Sequence, residues 1–186
     1  MTTEPSQQMA LTSVLPTWAE SVRRKYLGGE ASVFVLHGNV FDRILHQGKW
    51  YPLSDFLAQV LLWENKQSII HYDPSAGVHY YKHPSTALAE ELSAEWNRSN
   101  EGAEILKQLE REILSRDRAA LIISYAGTIA PPGEDQFLAP GDRQAVIRLH
   151  RWSLSSALAE KDNVVFLLAE TLTELNPRLI SNPRQA

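Results

Sequence analysis

His37-Gly38-Asn39-Val40-Phe41-Asp42 is the first place to look for chemistry, because an imidazole, a carboxamide and a carboxylate follow directly on the apolar run Val33-Phe34-Val35-Leu36. An imidazole at the end of a buried strand can act as a general base, and Asn39 and Asp42 can add polar contacts. The same residues suit a plainer role: His37 as a hydrogen-bonded structural histidine, and Gly38-Asn39 as a tight turn with positive φ. A phosphate-binding loop here would read G-x-x-x-x-G-K-S/T, with glycines to open the amides, a lysine for charge and a hydroxyl for magnesium. The segment offers one glycine and no adjacent lysine; Lys49 follows Gly48 but is next to Trp50 rather than a hydroxyl residue. Neither the G-x-G-x-x-G dinucleotide fingerprint nor the G-x-S-x-G nucleophile elbow occurs. His79 and His83 are four apart, a spacing that suits a metal only on a helix. Val78 to Tyr81 reads as extended, which would put the two rings on one face roughly 13 Å apart, and Pro84 disfavours helix at His83. No metal site is expected.

The elements that must position these groups alternate. Helices are expected over about Pro16 to Leu27, Leu53 to Glu64, Ser85 or Thr86 to Trp96, Ala103 to Arg116 and Arg143 to Glu160. Trp18, Val22 and Tyr26 form the stripe of the first, and Leu106, Leu109 and Ile113 that of the fourth. Thr17 and Glu20 have capping-box spacing, and Asp142 can cap the last helix. Trp96 and Trp152 fall at core-type positions. Between the helices stand Val33–Leu36, Ser68–Tyr72, Ala119–Ile123 and Asn163–Leu168, apolar nearly throughout, with Val78–Tyr81 as a short extra strand. Strands without polar alternation belong in a parallel sheet covered on both sides. The expected fold is therefore three-layer α/β with right-handed crossovers and a mainly parallel sheet of about four or five strands. In such folds the site lies beyond the carboxyl ends of the strands. That directs attention to His37–Asp42, Tyr72–Gly77, Ser124–Thr128 and Ala169–Thr173.

Composition sets outer limits. The chain has 186 residues, 44% hydrophobic and 22% charged, with 18 Lys+Arg against 22 Asp+Glu and a net charge of -4. This suits one sizeable core and argues against a disordered chain or a strongly basic nucleic-acid or membrane-surface module. The absence of cysteine excludes disulfide scaffolds, thiolate zinc sites, iron–sulfur clusters and cysteine nucleophiles. Met1 to Ala10 is polar and does not read as a secretory signal, and no apolar run approaches the roughly 20 residues needed to cross a bilayer. The expectation is a cytoplasmic protein with a flexible tail over residues 1–15 and one domain over 16–186.

Three later segments carry a family resemblance. Ala120-Leu121-Ile122-Ile123-Ser124-Tyr125-Ala126-Gly127 resembles a Walker B strand, and Asn163-Val164-Val165-Phe166-Leu167-Leu168-Ala169-Glu170-Thr171 resembles a sensor-1 strand. Leu175 to Arg184 resembles the segment that follows, near the arginine-finger region. From about Ser32 to Arg184 the chain looks like the nucleotide-binding core of a AAA+ ATPase, within the P-loop NTPase superfamily. The resemblance implies a nucleotide-contact set of His37, Gly38, Asn39, Asp42 and Thr171, with Arg184 as the arginine-finger candidate. It also implies a last core strand and a helical lid, both of which the family places beyond the final residue.

The departures are chemical. Walker B needs an Asp for magnesium and a Glu to orient water, and Ser124 followed by Tyr125-Ala126-Gly127 supplies neither. Without the lysine and both acids nothing balances a triphosphate or holds its metal; Glu170 or Thr171 would occupy the sensor position, and a carboxylate there would repel phosphate. The leading expectation is a degenerate, non-catalytic AAA+-like module, the N-terminal part of a longer ATPase, serving assembly or partner recruitment. Its partner would be a protein, an AAA+ ATPase domain or a second copy, with neither nucleic acid nor membrane. No catalytic residue and no cofactor are assigned to the chain itself; ATP and magnesium would enter through an associated domain. Two alternatives stand beside it. One is a nucleotide binder or enzyme with an atypical site built from His37, Asn39, Asp42 and Asp73. The other is a free-standing adaptor that docks through Arg23–Lys25 or the Glu134-Asp135 loop.

Overall fold

The computed structural model describes residues 15–98 and 102–181. Nearly all of the tail assigned to residues 1–15 lies outside them. Helix α1 (Thr17–Leu27) leads to β1 (Val33–His37), then to a hairpin of β2 (Arg43–His46) and β3 (Lys49–Pro52). Next is α2 (Leu53–Phe56), continued by a π-helical segment, Leu57–Leu62. Then come β4 (Ser68–Asp73), β5 (Gly77–Lys82), α3 (Thr86–Trp96), α4 (Gly102–Ser115), β6 (Ala119–Ile123) and α5 (Ala126–Ile129). The described chain ends with α6 (Pro140–Leu154), α7 (Ala157–Glu160), β7 (Val164–Ala169) and α8 (Pro177–Ile180).

The main sheet has the order β1-β7-β6-β4-β5. Its first four strands are parallel, and β5 turns back antiparallel on β4. The reason the strands read as unbroken apolar runs is visible in β6. Leu121 and Ile123 belong to one core, with Leu106, Leu109 and Ile113 of α4 and Val146, Leu149 and Trp152 of α6. Ala120 and Ile122 face the other core, under Trp18, Val22 and Tyr26 of α1 and Leu53, Leu57 and Leu62. With helices on both faces, neither face of a strand can be polar. This is the three-layer α/β arrangement that the alternation predicts.

Buried asparagines tie the layers at their ends. The Asn163 carboxamide accepts from the Ala119 amide at 2.7 Å and donates to the Ile113 carbonyl at 2.6 Å, joining the ends of α4, β6 and β7. Asn176 donates to the Pro131 and Gly133 carbonyls, both at 3.2 Å, and so holds the Pro-rich loop between α5 and α6. Each is essentially unexposed, so every one of these bonds replaces a lost contact with water.

Several local expectations are corrected. The capping box at Thr17 and Glu20 does not form: Pro16 is the N-cap, its carbonyl accepts from the Glu20 amide at 3.0 Å, and the Glu20 carboxylate pairs with Arg23 instead. Asp142 does not cap α6, because the helix already starts at Pro140, whose missing N–H and fixed φ suit a first turn. The single helix expected over Arg143 to Glu160 breaks at Ser155, which is extended and whose Oγ accepts from the Ala157 amide at 3.2 Å. The β2–β3 hairpin is not foreseen at all. Finally, His79 and His83 do not share a face. The β4–β5 register shifts between Ile69 and Ile70, and an extra residue in one strand reverses the alternation beyond it. His79 packs against His71 with ring centroids 4.7 Å apart, while His83 lies against Tyr80 and 3.8 Å from Glu112 of α4.

Candidate functional site

The carboxyl ends of the parallel strands meet where topology places a site, and the loop after β1 is its centre. Gly38 has φ +96, a backbone shape that glycine adopts freely. Its amide donates to the Glu170 carbonyl at 2.9 Å, so the β1 loop is tied to the end of β7. The Val40 amide turns back on the Gly38 carbonyl at 2.7 Å, and the Asp42 amide on the Asn39 carbonyl at 3.1 Å. These three N–H groups are used inside the protein. A phosphate cradle needs such amides free and convergent, together with a lysine.

His37 and Asn39 are both exposed and line a groove of about 360 Å³ with Trp18, Val35, Leu36 and Ile44, a mostly apolar surface. The groove runs beside β1, an edge strand of the main sheet. Asp42 and Thr171 are exposed and do not line it; Thr171 Oγ1 lies 2.9 Å from Thr173 Oγ1. Gly38 and Thr171 are therefore brought to neighbouring loops by the Gly38–Glu170 bond, while Asp42 stands at the start of the hairpin. Arg184 lies outside the described residues. Asp73, considered for an atypical site, is committed to its own turn: its Oδ1 accepts from Ser75 Oγ at 2.6 Å and from the Ser75 and Ala76 amides. Burial opposes its ionisation, but those hydrogen bonds outweigh it and hold the carboxyl below the usual carboxylate range.

Between β1 and α2 the chain forms the hairpin of β2 and β3. Gln47 and Gly48 form its two-residue turn, both at positive φ, as a type I′ turn requires. One face is held down by ring contacts of His46 and Tyr51 with Phe56, at 5.7 and 6.4 Å, and by Ile44 against the core. The opposite face carries the cross-strand pair Leu45 and Trp50, 53% and 57% exposed. The signal that could have revealed it is Gly48 between two four-residue segments rich in Ile, Leu, Trp and Tyr. Phe41, just before β2, lies against Tyr125, the residue after Ser124 at the end of β6, with ring centroids 5.0 Å apart, and both residues are exposed.

A second group is assembled only by the fold. His71 Nε2 lies 2.8 Å from Ser124 Oγ, so the residue standing in the Walker B aspartate position is bonded to a histidine. Both side chains are buried. Burial, with His79 adding to it, pushes His71 down to about 4, so its imidazole is neutral at pH 7. Beside it Tyr81 donates to Asp55 Oδ1 at 2.5 Å; burial and this carboxylate push the phenol up to about 12. The cue in the sequence is His71 inside a strand whose other polar residues, Ser68 and Asp73, stand at its ends, and pairing it with Ser124 requires the β4–β6 register.

The chain matches the AAA+ chaperone, N-terminal Rossmann-like domain family over residues 5–186. No curated protein sequence matches it. Among solved structures, a chain in the E. coli MS115-1 HORMA:CdnC:Trip13 complex is similar at a TM-score of 0.47 and 16% identity, over 90% of this chain and 53% of that one. The present chain thus spans about half the length of that solved chain. Among the described residues no helix is long and apolar enough to cross a membrane. The family match extends over the whole described fold, and the chain belongs to the AAA+ chaperone N-terminal Rossmann-like domain family.

Proposed function

We propose that this domain is a non-catalytic AAA+-like module that recruits a protein partner, or assembles with another copy or with an ATPase domain, and leaves nucleotide hydrolysis to that associated domain. What supports the reading is the loop after β1. Its Gly38, Val40 and Asp42 amides are consumed by carbonyls of the protein itself, and the chain then forms a hairpin with Leu45 and Trp50 turned to solvent. Exposed aromatic and aliphatic pairs suit protein contact, and Trp is enriched among residues that dominate binding energy. Ser124, held by His71, adds no carboxylate for magnesium. In this reading ATP and magnesium belong to the associated domain, and His37, Asn39 and Thr171 are surface residues rather than nucleotide contacts.

Thermal unfolding with and without about 5 mM MgATP tests it. A site with a dissociation constant of about 50 μM would add about 2.7 kcal/mol at that concentration, several degrees in Tm. The expected shift is below about 1 °C. A larger, magnesium-dependent shift that disappears in His37→Ala would replace this reading with the atypical nucleotide site.

A further inference from the structure

The amino ends of the strands, away from the loops described above, hold a cavity of about 300 Å³ between the second half of α1, the π-helical segment and β7. Val22, Leu61, Leu62 and Phe166 form the apolar part of its wall, Asn65 and Asp162 add polar groups, and three cations border it, Arg23, Lys66 and Arg118. Lys66 and Arg118 are close, since the Gln67 amide donates to the Arg118 carbonyl at 2.8 Å. The Lys66 side chain is only 2% exposed. Its ammonium donates to Tyr26 Oη at 2.6 Å and to the Asp162 carbonyl at 2.5 Å, and lies 3.2 Å from Asp162 Oδ1. The phenol of Tyr26 in turn donates to Asp162 Oδ1. Lys66 therefore has its three donors occupied and its charge balanced.

Arg118 differs: it is exposed to water, no carboxylate among the described residues pairs with its guanidinium, and its charge works against protonation of Lys66. Arg23 also borders the cavity, but Glu20 pairs with it at 3.0 Å. The result is a largely apolar cavity with one balanced ion pair in its wall and, at its border, one exposed cation that no carboxylate among the described residues partners. A compact anion with an apolar body complements both features: it neutralises the guanidinium through two parallel hydrogen bonds and removes apolar surface from water. A neutral apolar molecule would make no use of the guanidinium, which water solvates in its absence, and a cation would be repelled.

We propose that this cavity is a binding site for a small aliphatic carboxylate, with the carboxylate on Arg118 and the chain against Val22, Leu61, Leu62 and Phe166. The inference is independent of the proposed partner-recruitment role, because no residue of the β1 loop or the hairpin takes part.

Calorimetric titration of the full chain with octanoate tests it, with 1-octanol and acetate as the body and head group alone. Octanoate is expected to bind saturably at one site, at least about tenfold more tightly than either control. Arg118 has φ +54, so Arg118→Asn removes the charge with a residue that tolerates this backbone, and it should weaken octanoate about tenfold while leaving octanol unchanged. Arg118→Lys, which keeps the charge, should retain most of the binding. No saturable binding of octanoate, equal binding of octanoate and octanol, or undiminished binding by Arg118→Asn would each overturn the proposal.

Discussion

His71 and Lys66 stand near opposite ends of β4, both buried, and they resolve the cost of burial in opposite ways. His71 has a hydroxyl, Ser124, as its partner and no carboxylate in contact; burial drives it to the neutral form, and its Nδ1 is left without a hydrogen-bond partner. Lys66 has Asp162 3.2 Å away, Tyr26 and a main-chain carbonyl. Burial lowers its pKa as well, but the neighbouring carboxylate opposes the shift. A buried ionisable group keeps its charge only where a counter-charge and filled hydrogen bonds offset desolvation. Of these two buried groups, the one towards the carboxyl end of the sheet forms a neutral polar pair, and the one at the amino end has a counter-ion beside it.

The largest effect that would break this contrast is acid unfolding through His71. Its folded value of about 4 lies below the ordinary value of 6.5, so the unfolded chain binds more protons between those limits. Stability should be complete above about pH 6.5 and fall as pH drops towards 4, by about 3 kcal/mol in all. Denaturant titrations across that range, with His71→Gln removing most of the slope, would measure it; an unchanged slope in His71→Gln would mean that the pair does not hold a neutral imidazole. Asp73 contributes in a separate window, because its depressed carboxyl costs stability only below about pH 4.

Tyr26→Phe should have an intermediate effect. It removes the hydroxyl that accepts from Lys66 and donates to Asp162 but leaves the ring in the core, and should cost about 1.5 kcal/mol in chemical denaturation. A cost near zero would show that Asp162 alone balances the ammonium. The smallest effect should come from Leu45→Ser with Trp50→Ser on the hairpin. Both side chains are more than half exposed, so stability should change by no more than about 0.5 kcal/mol. A loss several times larger would show that this face packs in the folded chain and is not free for a partner.

Much of the fold could be read in the residues because burial on both faces leaves a plain mark. Val33–Leu36, Ser68–Tyr72, Ala119–Ile123 and Asn163–Leu168 need no partner information to be recognised as sheet interior, and the stripe Leu106, Leu109, Ile113 names the face that α4 buries. The hairpin is only faintly legible, in Gly48 alone, since Arg43–His46 and Lys49–Pro52 mix exposed polar and apolar residues and lack an Asn-Gly turn. The π-helical turn at Leu57–Leu62 has no sequence signal, as the same apolar stripe serves an α-helix equally well. Nor was the register break in β5 visible, which turned His83 away from His79.

The missing lysine and acids are local facts: the sequence alone shows that no G-x-x-x-x-G-K-S/T motif follows the first strand and that Ser124-Tyr125 stands where Walker B has its acids. What the residues in those places do was decided only by the tertiary structure. Gly38 spends its amide on Glu170 because β1 and β7 are neighbours, and Ser124 meets His71 because β6 pairs with β4. Lys66, Tyr26 and Asp162 converge from positions 40 and 136 residues apart in the chain. Residue type states which bonds a group is able to make; which of them it makes depends on strand order and register, which are set by the packing of the whole core.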